Sequence, residues 1–249
     1  MKEVILVKLG EIVLKGLNRK SFEDLLLKNV KRRLKQLGDF EIKCAQSTIY
    51  IAPKDEYYDL TETVTTLQKI FGIVSISKAA ITNKFMKDIE KTTLEYLGPR
   101  LKTLKTFKVE TKRADKKFAL TSPEISANLG GFILKNFKNL SVDVHNPDII
   151  INVEIRDFGA YIIGEAIKGA GGLPVSSSGK AAILISGGID SPVAAWIMAK
   201  RGLELCAIHF ASPPYTSERA EKKVISLLKK VAEYSGRMTM HTVTTNGEK

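Results

Sequence analysis

The sequence predicts two architectures in one chain of 249 residues: an α+β front half, then an incomplete α/β domain built on a parallel sheet. Three observations predict this. Short apolar runs with strand alternation interleave with amphipathic helical patterns through the first two thirds. A stretch rich in Gly and Ser follows at residues 169–179. Beyond it strand and helix patterns alternate strictly, which is the grammar of βα units joined by right-handed crossovers.

Residues 3–9 (EVILVKL) read as a buried strand, and residues 10–19 as a loop. A helix is predicted over residues 21–37. Phe22, Leu25, Leu26, Val30, Leu34 and Leu37 recur at helical spacing and make its apolar stripe. Lys28, Lys31, Arg32 and Lys35 fall at i, i+3, i+4 and i+7 and share another face, and Gly38 is a stop signal. Short strands at 40–44 and 48–52 complete a small β-α-β-β unit.

The second unit starts near Tyr58. A helix at 60–70, a strand at 73–78 and a helix at 86–97 ended by Gly98-Pro99 lead to a strand at 106–112 and the basic turn Arg113-Ala114-Asp115-Lys116-Lys117. Thr121-Ser122-Pro123-Glu124 starts the next helix, running to about residue 137. It offers a hydroxyl cap, a proline in the first turn and a glutamate that closes a capping box. Residues 149–156 and 160–166 alternate as a hairpin around Asp157-Phe158-Gly159.

Residues 169–179 read as an interdomain linker. After it come a strand at 181–185, a helix at 192–201, a strand at 204–210, a helix at 218–234 and a strand at 238–242. The expected organisation is a first domain at 1–57, a second at 58–168, the linker at 169–179 and a partial third domain at 180–249. About 70 residues follow the linker, and a doubly wound domain usually needs about 100–150.

Composition narrows the function. The chain holds 39 Lys+Arg against 27 Asp+Glu, a formal charge of +12, so its surface attracts polyanions, above all nucleic acid. The excess is clustered: ten Lys/Arg against five Asp/Glu in residues 1–40, and eight against two in residues 99–120. Such charge contributes salt-dependent affinity without sequence choice. Two cysteines exclude a disulfide scaffold and a four-thiolate zinc site, and three histidines disfavour an all-His metal centre. No apolar run approaches the roughly 18 residues that span a bilayer. The charged N-terminus reads as a strand, not a signal peptide. A cytoplasmic location without membrane contact is expected.

The sharpest chemical signal is Ile183-Leu184-Ile185-Ser186-Gly187-Gly188-Ile189-Asp190-Ser191-Pro192-Val193. An apolar strand passes through two adjacent glycines into a helix with proline in its first turn. Glycines let a ligand approach the backbone, consecutive amides point inward, and the helix N-terminus adds partial positive charge. That combination suits phosphate or pyrophosphate. Ser186 and Ser191 offer further donors. Asp190 repels phosphate on its own, which points to a bridging Mg²⁺. No GxGxxG follows a strand, and Gly179-Lys180 precedes its strand with Ala181 where a Walker motif needs Ser or Thr.

Ser186-Gly187-Gly188-Ile189-Asp190-Ser191 resembles the SGGxDS PP-loop of ATP pyrophosphatases. GEIVLKGLNR at residues 10–19, TFKVETKRADKKFALTSPEI at 106–125 and His209-Phe210-Ala-Ser-Pro-Pro-Tyr-Thr-Ser217 narrow the likeness to the tRNA 4-thiouridine synthetase family (tRNA uracil 4-sulfurtransferase, ThiI type). The resemblance implies a ferredoxin-like domain, a THUMP RNA-binding domain and a partial PP-loop domain with a Rossmann-like sheet. It also implies ATP and Mg²⁺ as cofactors, tRNA as partner and a cysteine desulfurase as sulfur donor. A homodimer and a sulfur supply for thiamine thiazole synthesis stay open.

In that family uridine-8 is adenylated at O4 and a persulfide replaces the adenylate with sulfur. Carried over, the resemblance assigns ATP to Leu184, Ile185, Ser186, Gly187, Gly188, Asp190, Ser191, His209 and Phe210, with Asp190 catalytic and the Mg²⁺ ligand. It assigns tRNA phosphates to Arg113, Lys116 and Lys117, with Lys15 and Arg19 secondary. Strand core for Leu184 and Ile185 and a strand cap for His209 are the bland alternatives. Cys44 and Cys206 read as small buried residues, because neither matches the family's sulfur-carrying cysteine, which lies further downstream than Lys249. A non-catalytic tRNA-binding module with a vestigial loop is the competing reading. Another PP-loop synthetase is disfavoured, having no need of such a front half.

Overall fold

Burial pulls the first strand out of the sequence unambiguously: Val4, Ile5, Leu6 and Val7 are all buried, so β1 (Lys2–Leu9) is covered on both faces. The computed structural model describes residues 2–14, 16–55, 59–212 and 217–244. Two short 3₁₀ turns, Glu11–Leu14 and Gly16–Asn18, occupy the expected loop. They lead into α1 (Arg19–Leu34), which buries Leu26, Val30 and Leu34 and exposes Lys28, Lys31, Arg32 and Lys35, as the two stripes require. β2 (Phe40–Ala45), β3 (Thr48–Pro53), α2 (Leu60–Gln68) and β4 (Ile73–Thr82) follow. The strand neighbours run β2-β3-β1-β4.

α3 (Met86–Leu101) runs through Gly98 and Pro99, where the sequence predicts a stop. Leu101 is fully buried. Pro99 falls in the last turn, where its missing N–H is a loss packing can offset. β5 (Thr106–Arg113) and α4 (Ser122–Asn136) come next, then the short β6 (Ser141–Val142) and the hairpin β7 (Ile149–Arg156) and β8 (Gly159–Ile163). Neither β6 nor β9 (Ile167–Lys168) carries a two-residue signal strong enough to read beforehand. The last third is β10 (Lys180–Leu184), α5 (Asp190–Lys200), β11 (Glu204–Ala211), α6 (Glu218–Ser235) and β12 (Met240–Thr244).

Two compact units emerge, and they cut through β1, β3 and β4. One holds Met1–Leu6, Tyr50–Tyr58 and Ser77–Ile167. Its strands run β4-β8-β7-β5-β6, with β7–β8 antiparallel through Arg156↔Gly159 and β5–β7 parallel through Phe107↔Ile149. Ile149, Ile151, Val153 and Ile155 alternate toward α3 and α4, whose Ile89, Leu97, Ile125, Leu129 and Ile133 close the core. Each such side chain contributes about 1.5–3 kcal/mol when fully buried. The sole carboxylate deep in this unit, among the described residues, is Glu154, and the Arg156 guanidinium pairs with it at 2.6 Å.

The other unit holds Val7–Ile49, Asp59–Ile76 and Lys168–Lys249. Its second sheet is β10-β11-β12, parallel throughout as predicted. Phe71, from the front of the chain, packs between Trp196 and Tyr234 with ring centroids 5.3 and 5.7 Å away. Asn29 donates to the Val175 carbonyl at 3.2 Å, and Arg33 donates to the Glu233 carbonyl. The stretch read as a linker is hydrogen-bonded along much of its length: Gly72 N–H to Gly171 O, Leu173 N–H to Lys200 O and Ser178 N–H to Gly202 O, at 2.8–3.0 Å. Gly172 sits at φ +74 with the Lys200 carbonyl where a side chain would start, so only glycine fits there.

Candidate functional site

The βα grammar places the phosphate loop. β10 pairs with β11 from Lys180↔Glu204 to Leu184↔Ile208, and Ile185 N–H extends the ladder to Ile208 O at 2.9 Å. The chain then turns through residues 186–189 into α5, which begins at Asp190 with Pro192 in its first turn. The bend therefore lies at the carboxyl ends of parallel strands and at a helix N-terminus, where open α/β sheets bind anions. Alternation divides the neighbouring residues between two faces. Ile185 and His209 are 4% and 6% exposed beneath the helices, while Leu184 and Phe210 are 63% and 53% exposed on the other face.

The loop closes on its own hydroxyls. Ser191 Oγ accepts the Ser186 N–H at 3.1 Å and lies 3.3 Å from Ser186 Oγ. Gly188 N–H reaches Ser186 Oγ at 3.4 Å. These are long, neutral bonds that an anion displaces readily. Asp190 is exposed in the first turn of α5, where a carboxylate is favoured by the helix dipole, and has no partner among the described residues.

His209 anchors the start of the bend. Its Nδ1 lies 3.1 Å from the Ile185 carbonyl, which can only accept, so Nδ1 carries the proton. Nε2 is buried and, among the described residues, without a partner. Lys223 of α6 also borders the loop. Its Cδ lies 3.6 Å from where a side chain on Gly187 would begin. Sequence reading misses Lys223; the one signal is that it precedes Val224, the first buried residue of the amphipathic α6.

The basic turn in the first unit is held differently. Arg113 Nη1 donates to the carbonyls of Phe118 and Leu120 at 2.9 and 2.8 Å. Asp115 accepts Lys84 Nζ at 2.6 Å and the Lys117 N–H at 2.9 Å, and these bonds hold its carboxyl below the usual range. Glu124 accepts both the N–H and the hydroxyl of Thr121 at 2.7 Å, the carboxylate half of the expected capping box, which likewise lowers its pKa. Lys116 and Lys117 are exposed. The loop Asn83-Lys84-Phe85 faces the turn across an open groove of about 690 Å³, lined also by Met86, Phe118 and Leu120.

Of the expected tRNA contacts, Arg113 commits its Nη1 to the turn. Arg19 pairs with Glu23 at 2.7 Å and with Ser47 Oγ at 2.5 Å. Lys15 lies outside the described residues, as do residues 213–216 of the string after His209. Cys44 and Cys206 are half-buried where full burial was expected, and burial pushes the Cys44 thiol up. Among the described residues no three His, Cys, Asp or Glu cluster as a metal site, and no helix is long and apolar enough to cross a membrane.

The chain matches three families in order: the ThiI ferredoxin-like domain over residues 4–77, the THUMP domain over 83–164, and the thiamine biosynthesis protein (ThiI) over 176–249. It is 51% identical over 245 residues to a probable tRNA sulfurtransferase of Acetivibrio thermocellus, covering 98% of this chain and 62% of that protein. A probable tRNA sulfurtransferase of Thermoanaerobacter pseudethanolicus is 46% identical with the same coverage. The chain thus spans about 62% of the length of these curated relatives. Among solved structures it resembles a 4-thiouridine synthetase–RNA complex with bound ATP, at TM-score 0.87 and 40% identity, covering 98% of this chain and 62% of that one. It also resembles PH1313 of Pyrococcus horikoshii, at TM-score 0.84 and 31% identity, covering 96% and 78%. A ferredoxin-like and THUMP front half followed by a parallel βα sheet, matched domain by domain, makes the chain a member of the ThiI family.

Proposed function

We propose that this chain holds tRNA and binds ATP for the activation step of 4-thiouridine formation at uridine-8. The observation that carries the reading is the bend at residues 185–190, with its displaceable hydroxyl bonds and the exposed Asp190 carboxylate, unpartnered among the described residues.

A uracil carbonyl oxygen is a poor leaving group. In the proposed step O4 attacks the α-phosphorus of ATP, the bond to the bridging oxygen breaks and pyrophosphate departs. The terminal sulfur of a persulfide would then attack C4 as AMP leaves, and a second thiol from the sulfur-donating side would cleave the resulting S–S bond, departing as a disulfide and leaving the C4 thiocarbonyl. The chain's own contribution is binding and orientation. Amides of residues 186–188 and the α5 N-terminus would take a phosphate, with the Ser186 and Ser191 hydroxyls turning from the loop to the ligand. Leu184 and Phe210 offer exposed apolar surface against the purine, while His209 holds the Ile185 carbonyl in place. One carboxylate without other acidic ligands fits Mg²⁺ that arrives on the nucleotide; when bound, the metal would neutralise phosphate charge. Asp190 would hold it. In the THUMP part, exposed Lys116 and Lys117 are the proposed phosphate contacts, with Arg113 shaping the turn that presents them. A cysteine desulfurase as sulfur source and a role in thiazole synthesis belong to this same reading, as do the domain limits at residues 57, 168 and 179.

Thermal unfolding with ATP and Mg²⁺ tests it. Ligand at a hundredfold excess over Kd adds about 2.7 kcal/mol of stability. Asp190→Ala is expected to abolish that gain while tRNA affinity stays within about twofold. Lys116→Ala with Lys117→Ala should weaken tRNA binding and flatten its salt dependence without touching the ATP response. No stabilisation of the wild-type chain by ATP-Mg, alongside intact tRNA binding, would leave only the binding module.

A further inference from the structure

We propose that Lys223 grips the outer phosphates of ATP at this loop, a contact that rests on the nucleotide reading above. α6 can present only one edge to the bend, because Val224, Leu228 and Val231 are buried at i, i+4 and i+7. The Ser217 side chain fixes the helix start by accepting the Ala220 N–H at 3.3 Å. That register lays the aliphatic stem of Lys223 against Gly187, its Cδ 3.6 Å from the position of a side-chain carbon there. The ammonium lies two bonds further along.

Charge supplies the second argument. Among the described residues the other donors bonded at the bend are neutral: the amides of Ser186 and Gly188 and two serine hydroxyls. The charged group within the bend is Asp190, with the sign of the ligand. A triphosphate bound there needs cationic compensation beyond a metal ion. The two neighbouring lysines of α6 differ in what they do. Lys222 pairs with Glu218 at 3.5 Å, whereas Lys223 has no carboxylate partner among the described residues. A lysine is a compact, mobile point charge well suited to phosphate oxygens.

Position decides which phosphates it meets. The amides and the α5 N-terminus belong to the segment that joins β10 to α5. Lys223 reaches Gly187 from the next helix, so it meets what extends past the loop: the β- and γ-phosphates that leave as pyrophosphate. AMP would not feel it.

Calorimetric titration of the 249-residue chain with ATP-Mg, inorganic pyrophosphate and AMP tests the assignment. Lys223→Ala should weaken ATP-Mg and pyrophosphate about tenfold or more and leave AMP within about twofold. Lys223→Arg should restore most of the loss, and Lys222→Ala should change nothing. An unshifted melting temperature without nucleotide verifies the fold of each variant. Equal effects on ATP and AMP, or no effect on ATP, would overturn the proposal while the nucleotide reading stands. A wild-type chain that binds none of the three overturns both.

Discussion

The basic turn at residues 113–121 and the phosphate loop at residues 185–190 are both short, exposed bends, yet they are stabilised in opposite ways. The turn is built from charged partners at short range: Arg113 on two carbonyls, Lys84 on Asp115 at 2.6 Å, Glu124 on Thr121 at 2.7 Å. The phosphate loop is closed by serine hydroxyls at 3.1–3.4 Å, and its one carboxylate has no partner among the described residues. Carbonyls are neutral, so Arg113 keeps its charge, but the Nη1 they hold is not available to a ligand. On the proposed function the turn would be a mount for Lys116 and Lys117, and the loop a weakly closed receptor whose amides would open to a stronger acceptor.

Removing the strongest clasp should break the contrast most visibly. Arg113→Ala leaves two carbonyls without their donor and is expected to cost about 1–3 kcal/mol, measured by denaturant unfolding. tRNA affinity should fall with it, since the lysines lose their mount, while ATP stabilisation stays intact. A variant of full stability and reduced tRNA affinity would show that Arg113 touches RNA directly.

Ser191→Ala sharpens the other side. Its native bonds are long and neutral, so the melting temperature should barely move, whereas ATP-Mg affinity should drop several-fold as a phosphate donor is lost. A large loss of stability without nucleotide would mean the hydroxyl serves the fold instead.

The smallest effect is in acid. Glu124 has its folded pKa lowered by the Thr121 N–H and then the Thr121 hydroxyl. Its contribution is complete above the ordinary glutamate value of about 4.3 and disappears as pH falls through the lowered folded value. Glu124→Gln should flatten the acid limb of the melting-temperature profile as pH falls below the ordinary glutamate value of about 4.3. An unchanged limb would assign acid sensitivity to other carboxylates, such as Asp148, which accepts the N–H groups of Lys105 and Thr106 at 2.9 Å.

Much of this was legible beforehand for a physical reason. Periodicity reports which face of an element is buried, so α1, α4, α6, the β7–β8 hairpin and the parallel β10-β11-β12 sheet could be read from apolar spacing. Caps and turns are equally local: Thr121 with Glu124, and Ser186 to Pro192, carry their geometry in adjacent residues. What failed was the reading of isolated signals against distant packing. Gly98-Pro99 looks like a stop, but burial of Leu101 draws α3 on for another turn. A Gly- and Ser-rich stretch looks like a loose linker, but Leu173 and Ser178 bond to Lys200 and Gly202.

By itself the sequence determined the order of elements, the phosphate bend and the basic surface, because each follows from neighbours along the chain. Only the tertiary structure decided how the charges are spent. It tied Arg113 to a turn and Arg19 to Glu23 and Ser47, set His209 under the Ile185 carbonyl, and brought Lys223 to Gly187 from 36 positions away in the sequence. Partnership between charges depends on distances in space that no local pattern encodes, since helix register and sheet order must first be fixed by packing.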